Sequence, residues 1–157
     1  VNLFALNLIL AFVWALATGS LSELNLAFGF VVGIVVLHFV GGAVGDPRYA
    51  VRLVRIVGLL LTFLKELVVS SFRVALDVLR PELRMKPAVI AVPLDLRSDA
   101  EITLLANLIS LTPGTLSIDV AEDKSCIYVH AMYGGDPDAL AADIKRTFER
   151  RIREAFQ

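Results

Sequence analysis

At 157 residues the chain has room for one compact domain, or for a membrane hairpin plus a small domain. Hydrophobic residues make up 57% of it, while 15 basic and 16 acidic side chains leave a net charge of -1, which excludes a general nucleic-acid binder that tracks phosphates with surplus Lys and Arg. One cysteine, Cys126, excludes an intramolecular disulfide and a cysteine-based metal cluster, and reads as a small buried hydrophobe.

The charges are unevenly placed, and from Val1 to Gly45 the only one is Glu23. Within that block Asn2 to Thr18 and Leu24 to Val44 are nearly all apolar, each close to the roughly 20 residues needed to cross a bilayer core. The link Gly19-Ser20-Leu21-Ser22-Glu23 is short enough to force an antiparallel hairpin. No basic n-region precedes the first apolar stretch, so it does not read as a cleaved signal peptide. Arg48, Arg52 and Arg55 follow the second stretch and the link carries no basic residue, which places the link outside and both chain ends inside.

Residues 46–86 have a different pattern. At 100° per residue, Arg48, Arg52, Arg55, Leu59, Thr62, Glu66, Ser70, Arg73, Asp77, Arg80 and Arg84 fall within roughly 40° of one line, and only Leu59 among them is apolar. The rest of the surface is apolar, with Lys65 the one charge clearly off the line. This predicts one long amphipathic helix ending near Pro81. As a third membrane span it would place Lys65 and Glu66 near mid-bilayer, at about 2.5 to 3.5 kcal/mol each. As an interfacial helix it keeps the polar stripe wet, buries its apolar face in lipid or in partner subunits, and is preferred. On the wet face Arg73, Asp77 and Arg80 stand at helical neighbour spacing and can pair with one another.

Residues 87–157 predict a cytoplasmic α+β domain in the order β-α-β-β-α. Ala88 to Leu96 reads as a strand, and Ser98 with Glu101 suits a capping box. The helix that follows carries a narrow polar stripe at Thr103, Asn107 and Ser110 and stops at Thr112-Pro113-Gly114. Leu116, Ile118 and Val120 then alternate with Thr115, Ser117 and Asp119, as in a half-buried strand. A turn over Ala121 to Ser125 leads to a strand from Cys126 to Tyr133. Asp136 and Pro137 open a last helix with Leu140, Ile144, Phe148, Ile152 and Phe156 every four residues.

Convergent chemistry is sparse. His38 and His130 have no imidazole or carboxylate at metal-ligand spacing, and neither a phosphate loop nor a nucleophile elbow is present, so no catalytic, cofactor or metal site is expected. Asp119, Glu122 and Asp123 read as a solvated acidic turn rather than a cation site. Glu23 and His38 are the only candidates in the hairpin for lining an ion path shared with other subunits. Lys65, Glu66 and the Thr112-Pro113-Gly114 turn are candidates for subunit contact.

The run from Asn107 through Leu111-Thr112-Pro113-Gly114-Thr115 to Asp119, followed by Tyr128-Val129-His130-Ala131, resembles the signature region of the E subunit of the Mrp (Mnh, Pha) multisubunit cation/proton antiporters. The likeness covers nearly the whole chain: apolar hairpin, Arg- and Leu-rich middle helix and small terminal domain come in the family's order. It implies a multi-pass component of a bacterial inner-membrane Na+/H+ antiporter, with its terminal domain cytoplasmic. Larger partners similar to the proton-pumping subunits of respiratory complex I would carry the exchange, and this chain would serve assembly and activity without being an enzyme. It carries no catalytic residues over to this chain. The alternative is a free-standing, membrane-anchored module whose terminal domain recognises a ligand.

Overall fold

The computed structural model describes residues 2–44, 48–80 and 85–156. They form two compact units, one up to Val54 and one from Arg55 onward.

The first unit is built on an antiparallel helix pair. Helix α1 (Leu3–Ala17) is capped by Asn2, whose side chain accepts from the amides of Phe4 and Ala5. It ends in a Schellman turn: Ser20 donates to the carbonyl of Ala15, Gly19 to that of Leu16, and Gly19 takes φ +68°. Asn25, early in α2 (Glu23–Val44), ties the link together. It accepts from Trp14 Nε1 at 3.1 Å and donates to Thr18 Oγ1 and the Ser20 carbonyl, both at 2.6 Å. Leu3, Asn7, Ala11 and Ala15 of α1 are buried, one every four residues, against Gly29, Gly33 and Leu37 of α2. A Cβ at Gly29 would lie 3.0 Å from the Ala11 carbonyl and from Trp14, so small residues bring the backbones together. Among the described residues α2 is the one helix long and apolar enough to cross a membrane; α1 is apolar but has only 15 residues.

Helix α3 (Tyr49–Val78) is the long helix expected from the periodicity. Pro81 and Arg84, included in that expectation, lie outside the described residues, as does the expected boundary at residue 45. From Arg55 onward α3 belongs to the second unit.

The rest of that unit is a three-stranded antiparallel sheet ordered β1-β3-β2, with helices on one face. Strand β1 (Ala88–Pro93) and strand β2 (Thr115–Val120) both pair with β3 (Cys126–Ala131). Helix α4 (Asp99–Leu111) starts where Glu101 accepts from the Ser98 amide at 3.4 Å. Ile90, Val92, Leu94 and Leu96 meet Ile127 and Val129 of β3 and Ile102, Leu105, Leu108 and Ile109 of α4 in one apolar core.

Two elements depart from the periodicity. In β2 the apolar residues Leu116 and Ile118 point outward, while Ser117 faces the helices. Its hydroxyl donates to the Ala106 carbonyl, and the Ser110 hydroxyl accepts from its amide. Ser110, at the end of the expected polar stripe of α4, thus faces β2 instead of water. A bulge between Ser117 and Asp119 then turns Val120 back toward the core.

The last helix is interrupted. Asp136 caps α5 (Pro137–Ile144), accepting from Ala139 at 3.0 Å, but Lys145–Glu149 forms a π turn before α6 (Arg150–Phe156). Side chains every four residues drift by about 40° per step on an α-helix, and the wider π turn absorbs that drift. Ile144, Phe148 and Ile152 therefore all stay buried. Beyond the π turn Ala155 takes the inward position and Phe156 is exposed, contrary to the four-residue pattern.

The π turn also brings Glu149 inside, where it is 3% exposed and accepts from the amides of Asp95 at 2.6 Å and Leu96 at 3.2 Å. Lys145 bridges Glu149 at 3.3 Å and Asp95 at 3.0 Å. The Lys145 hydrogen bond, followed by its charge, holds the Asp95 carboxyl below the usual 3.8. Burial pulls the Lys145 ammonium down, but Asp95 and Glu149 outweigh it and leave the group above its usual 10.5. A lowered carboxyl pKa adds stability that is present above 3.8 and lost as pH falls through the folded value. A raised ammonium pKa adds stability that is present below 10.5 and lost as pH rises through the folded value. Amide exchange of the β1–α4 connection is therefore expected to speed up at both pH extremes, after correction for intrinsic rates, and Lys145→Met is expected to flatten both limbs.

Candidate functional site: the seam between helix α3 and the terminal domain

The polar line of α3 is only partly wet: Leu59 and Asp77 are buried and Thr62, Glu66 and Ser70 half-buried where it docks on the terminal domain, while Arg55, Arg73 and Arg80 stay exposed. Leu59, the one apolar member of the line, is only 7% exposed and joins the domain core, with Phe63 packed beside it. Arg55 donates to the Glu154 carbonyl at 2.7 Å. At the other end Asp77, 4% exposed, accepts from the Tyr133 hydroxyl at 2.6 Å and pairs with Arg80 at 3.0 Å. Arg73 lies over the Tyr133 ring, 5.6 Å from its centroid. The expected pairing of Asp77 with Arg80 is present, but on a buried face, because Tyr133 closes over the carboxylate. The hydrogen bond to Asp77, then burial, raises the Tyr133 phenol above its usual 10.0.

The opposite face of α3 is bare. Val54, Val57, Leu61, Leu64, Val68, Phe72 and Leu76 are all exposed, in an apolar surface that runs the length of the helix. Such a surface requires a cover of lipid or protein.

Between these contacts the seam holds a partly open cavity of about 140 Å³. Glu66, Ser70 and Arg73 line it from α3, Thr112 to Thr115 from the turn after α4, and Asp143, Ile144, Thr147 and Phe148 from the last helix. The turn is shaped by its sequence. Thr115 donates to the Thr112 carbonyl, Pro113 supplies a fixed φ at the first central position, and Gly114 takes φ +91° at the second, as a type II turn requires. The Gly114 carbonyl then accepts from Met132 at 2.8 Å, starting the β2–β3 ladder.

Four of the expected contact residues, Glu66, Thr112, Pro113 and Gly114, thus line one cavity although they are up to 48 residues apart by number. Lys65 stays outside it, 73% exposed, pairing with Glu66 at 3.3 Å. Glu23 and His38 belong to the first unit; both are exposed, Glu23 at the start of α2 and His38 beside the Phe39 ring. Arg73 and Asp77 stand on the expected polar line, but Tyr133, which joins them, is a partner that the sequence pattern does not single out. The signal that could have found it is Leu59: an apolar residue in the middle of a polar line marks that line as an interior seam. Asp119, Glu122 and Asp123 flank a tight turn. The Ser125 hydroxyl and amide hold the Asp123 carboxyl below its usual range, and Asp119 accepts from the Val120 amide.

An apolar helix pair and an amphipathic helix with a long exposed apolar face are elements that call for a cover of lipid or protein. The chain belongs to the Na+/H+ ion antiporter subunit family MNHE, whose model matches residues 7–155. It is 39% identical to the E subunit of the Na+/H+ antiporter of Alkalihalophilus pseudofirmus over 149 residues, 95% of this chain and 94% of that one. Against the corresponding E subunit of Bacillus subtilis the identity is 36% over the same shares. Among solved structures, a chain of an archaeal membrane-bound sulfane sulfur reductase complex aligns with TM-score 0.62 and 23% identity, over 99% of this chain and 100% of that one, and shares the fold. A chain of the Mrp complex from Dietzia sp. is 35% identical over 63% of this chain and 94% of that one, with TM-score 0.48.

Proposed function

We propose that this protein is an accessory, non-pumping part of an Mrp-type Na+/H+ antiporter in a bacterial inner membrane, holding partner subunits together from the cytoplasmic side. Helices α1 and α2 are its membrane hairpin. Helix α3 lies along the inner interface with its apolar face toward lipid and neighbouring subunits, and the terminal domain is cytoplasmic.

One observation carries the reading: the domain docks along nearly all of α3, from Arg55 on Glu154 to Asp77 on Tyr133. At 1.5 Å per residue that is roughly 33 Å of helix, as long as a bilayer core is thick. A transmembrane α3 would drag the domain surface, with Asp95, Lys145 and Arg146, into hydrocarbon, at a cost far above that of Lys65 and Glu66 alone. An interfacial α3 leaves Lys65, off the polar line, as the one charge of the helix turned toward lipid, and its long stem can carry the ammonium to the headgroup level. The Alkalihalophilus and Bacillus relatives are antiporter components, which supports the same role here.

A single-cysteine scan along α3, in a chain whose Cys126 is replaced by serine, tests the placement. Labelling by a membrane-impermeant maleimide in inverted vesicles is expected to reach positions along the whole helix, at the flanks between the docked line and the apolar face. A continuous protected block of about 18 residues would instead establish a span. For the partners, the tagged chain purified in mild detergent from native membranes is expected to bring several large multi-span proteins in fixed ratio. Recovery of the chain alone, under conditions that preserve other membrane complexes, would return the protein to the anchored-module reading.

A further inference from the structure

We infer that the seam cavity is a socket for one carboxylate of a neighbouring subunit, an Asp or Glu side chain or a chain terminus, received by Arg73. The inference rests on the antiporter-component reading above and names the contact chemistry.

Charge is the first argument. Of the three ionic groups lining the cavity, Glu66 is matched by Lys65 at 3.3 Å and Asp143 by Arg146 at 2.7 Å. Among the described residues Arg73 forms no ion pair; its neighbour is an aromatic face, the Tyr133 ring. Nearby Asp77 is already engaged by Arg80 and by the Tyr133 hydroxyl. Arg73, exposed at the edge of the cavity, is therefore the one ionic group of its lining that no carboxylate among the described residues matches, and its planar fork suits a carboxylate.

Preorganisation is the second. Tyr133 is fixed through its hydroxyl to buried Asp77, so the ring that supports the guanidinium does not have to be ordered when a partner arrives. Size is the third. About 140 Å³ is well below the roughly 300 to 1,000 Å³ of sites that bind whole small-molecule ligands, but it admits a single side chain, whose stem would rest on Ile109, Pro113 and Phe148.

The test uses the full chain in its assembled complex. Arg73→Lys keeps the charge and supplies an amine that a water-soluble carbodiimide joins to a carboxylate in direct contact. Mass spectrometry is expected to find position 73 linked to an acidic residue or C-terminus of another subunit. A link only to Glu66 or Asp143 of the same chain, or no link although partner subunits are present, overturns the inference and leaves the antiporter-component reading standing. Absence of partner subunits from the preparation is the separate failure of that reading. In parallel, Arg73→Gln is expected to lower retention of at least one partner about tenfold through detergent washing. Tyr133→Phe, which frees Asp77 but keeps the cation and ring, is expected to lower it less. Equal losses for the two variants, or unchanged retention for Arg73→Gln, would make Arg73 a structural residue of the seam and overturn the inference.

Discussion

Replacing Glu149 with alanine is expected to destabilise the terminal domain by about 3 to 4 kcal/mol, a large effect for one residue of a helix at the domain surface. The carboxylate accepts from two backbone amides, Asp95 and Leu96, that lie just beyond the end of the β1 ladder, and it faces Lys145, whose side chain is 30% exposed. Removing it leaves two backbone donors without their acceptor, while Lys145 keeps Asp95 and the Pro93 carbonyl. Hydrogen exchange of the full chain in detergent reads this directly. Protection of the segment around Asp95 and Leu96 is expected to fall by two orders of magnitude or more, since each 1.4 kcal/mol is about tenfold. Glu149→Gln keeps an acceptor for the amides but turns an NH2 donor toward Lys145, so a loss smaller than that of alanine is expected. An alanine variant within about 0.5 kcal/mol of the parent would mean that water replaces the carboxylate, contrary to the burial seen.

The second large effect is expected in the helix hairpin. A Cβ added at Gly33 would collide with Asn7 Oδ1, closer than real contacts allow. Asn7 cannot swing away freely, because it is fully buried and donates through Nδ2 to the Tyr49 hydroxyl at 3.0 Å. Gly33→Ala must therefore part the helices, at about 1 to 3 kcal/mol, and Gly33→Leu by more. The check is a disulfide cross-link between cysteines placed at Leu3 and Leu37, whose yield should drop in either variant. Asn7→Ala combined with Gly33→Ala removes the collision and should recover most of that yield. A double variant no better than Gly33→Ala alone would show that the glycine serves some purpose other than room for Asn7.

Much of this arrangement is legible in the residues themselves. The order of elements, the capping Glu101, the helix stop at Thr112-Pro113-Gly114 and the short link from Gly19 are local, because each depends on neighbours within a few residues. The π turn is not legible: four-residue spacing fits a long α-helix as well as an interrupted one, and the choice depends on how far the core reaches. Nor is the outward turn of Leu116 and Ile118, since alternation says that a strand has two faces without saying which is covered. Here Ser110 and Ala106 of α4 satisfy the Ser117 side, so the polar face goes in.

Helix α3 shows the same division most clearly. Sequence alone determined that it has one narrow polar line and a broad apolar face, because both follow from the fixed 100° step of an α-helix. Only the tertiary structure decided that the polar line is the one that docks, with Leu59 and Asp77 buried in it. The groups that satisfy it, Tyr133 for Asp77 and the Glu154 carbonyl for Arg55, stand 56 and 99 residues further along the chain. A periodic pattern reports which side of a helix is polar, but polar groups are satisfied equally by water or by a folded neighbour, and that choice depends on contacts no local pattern contains.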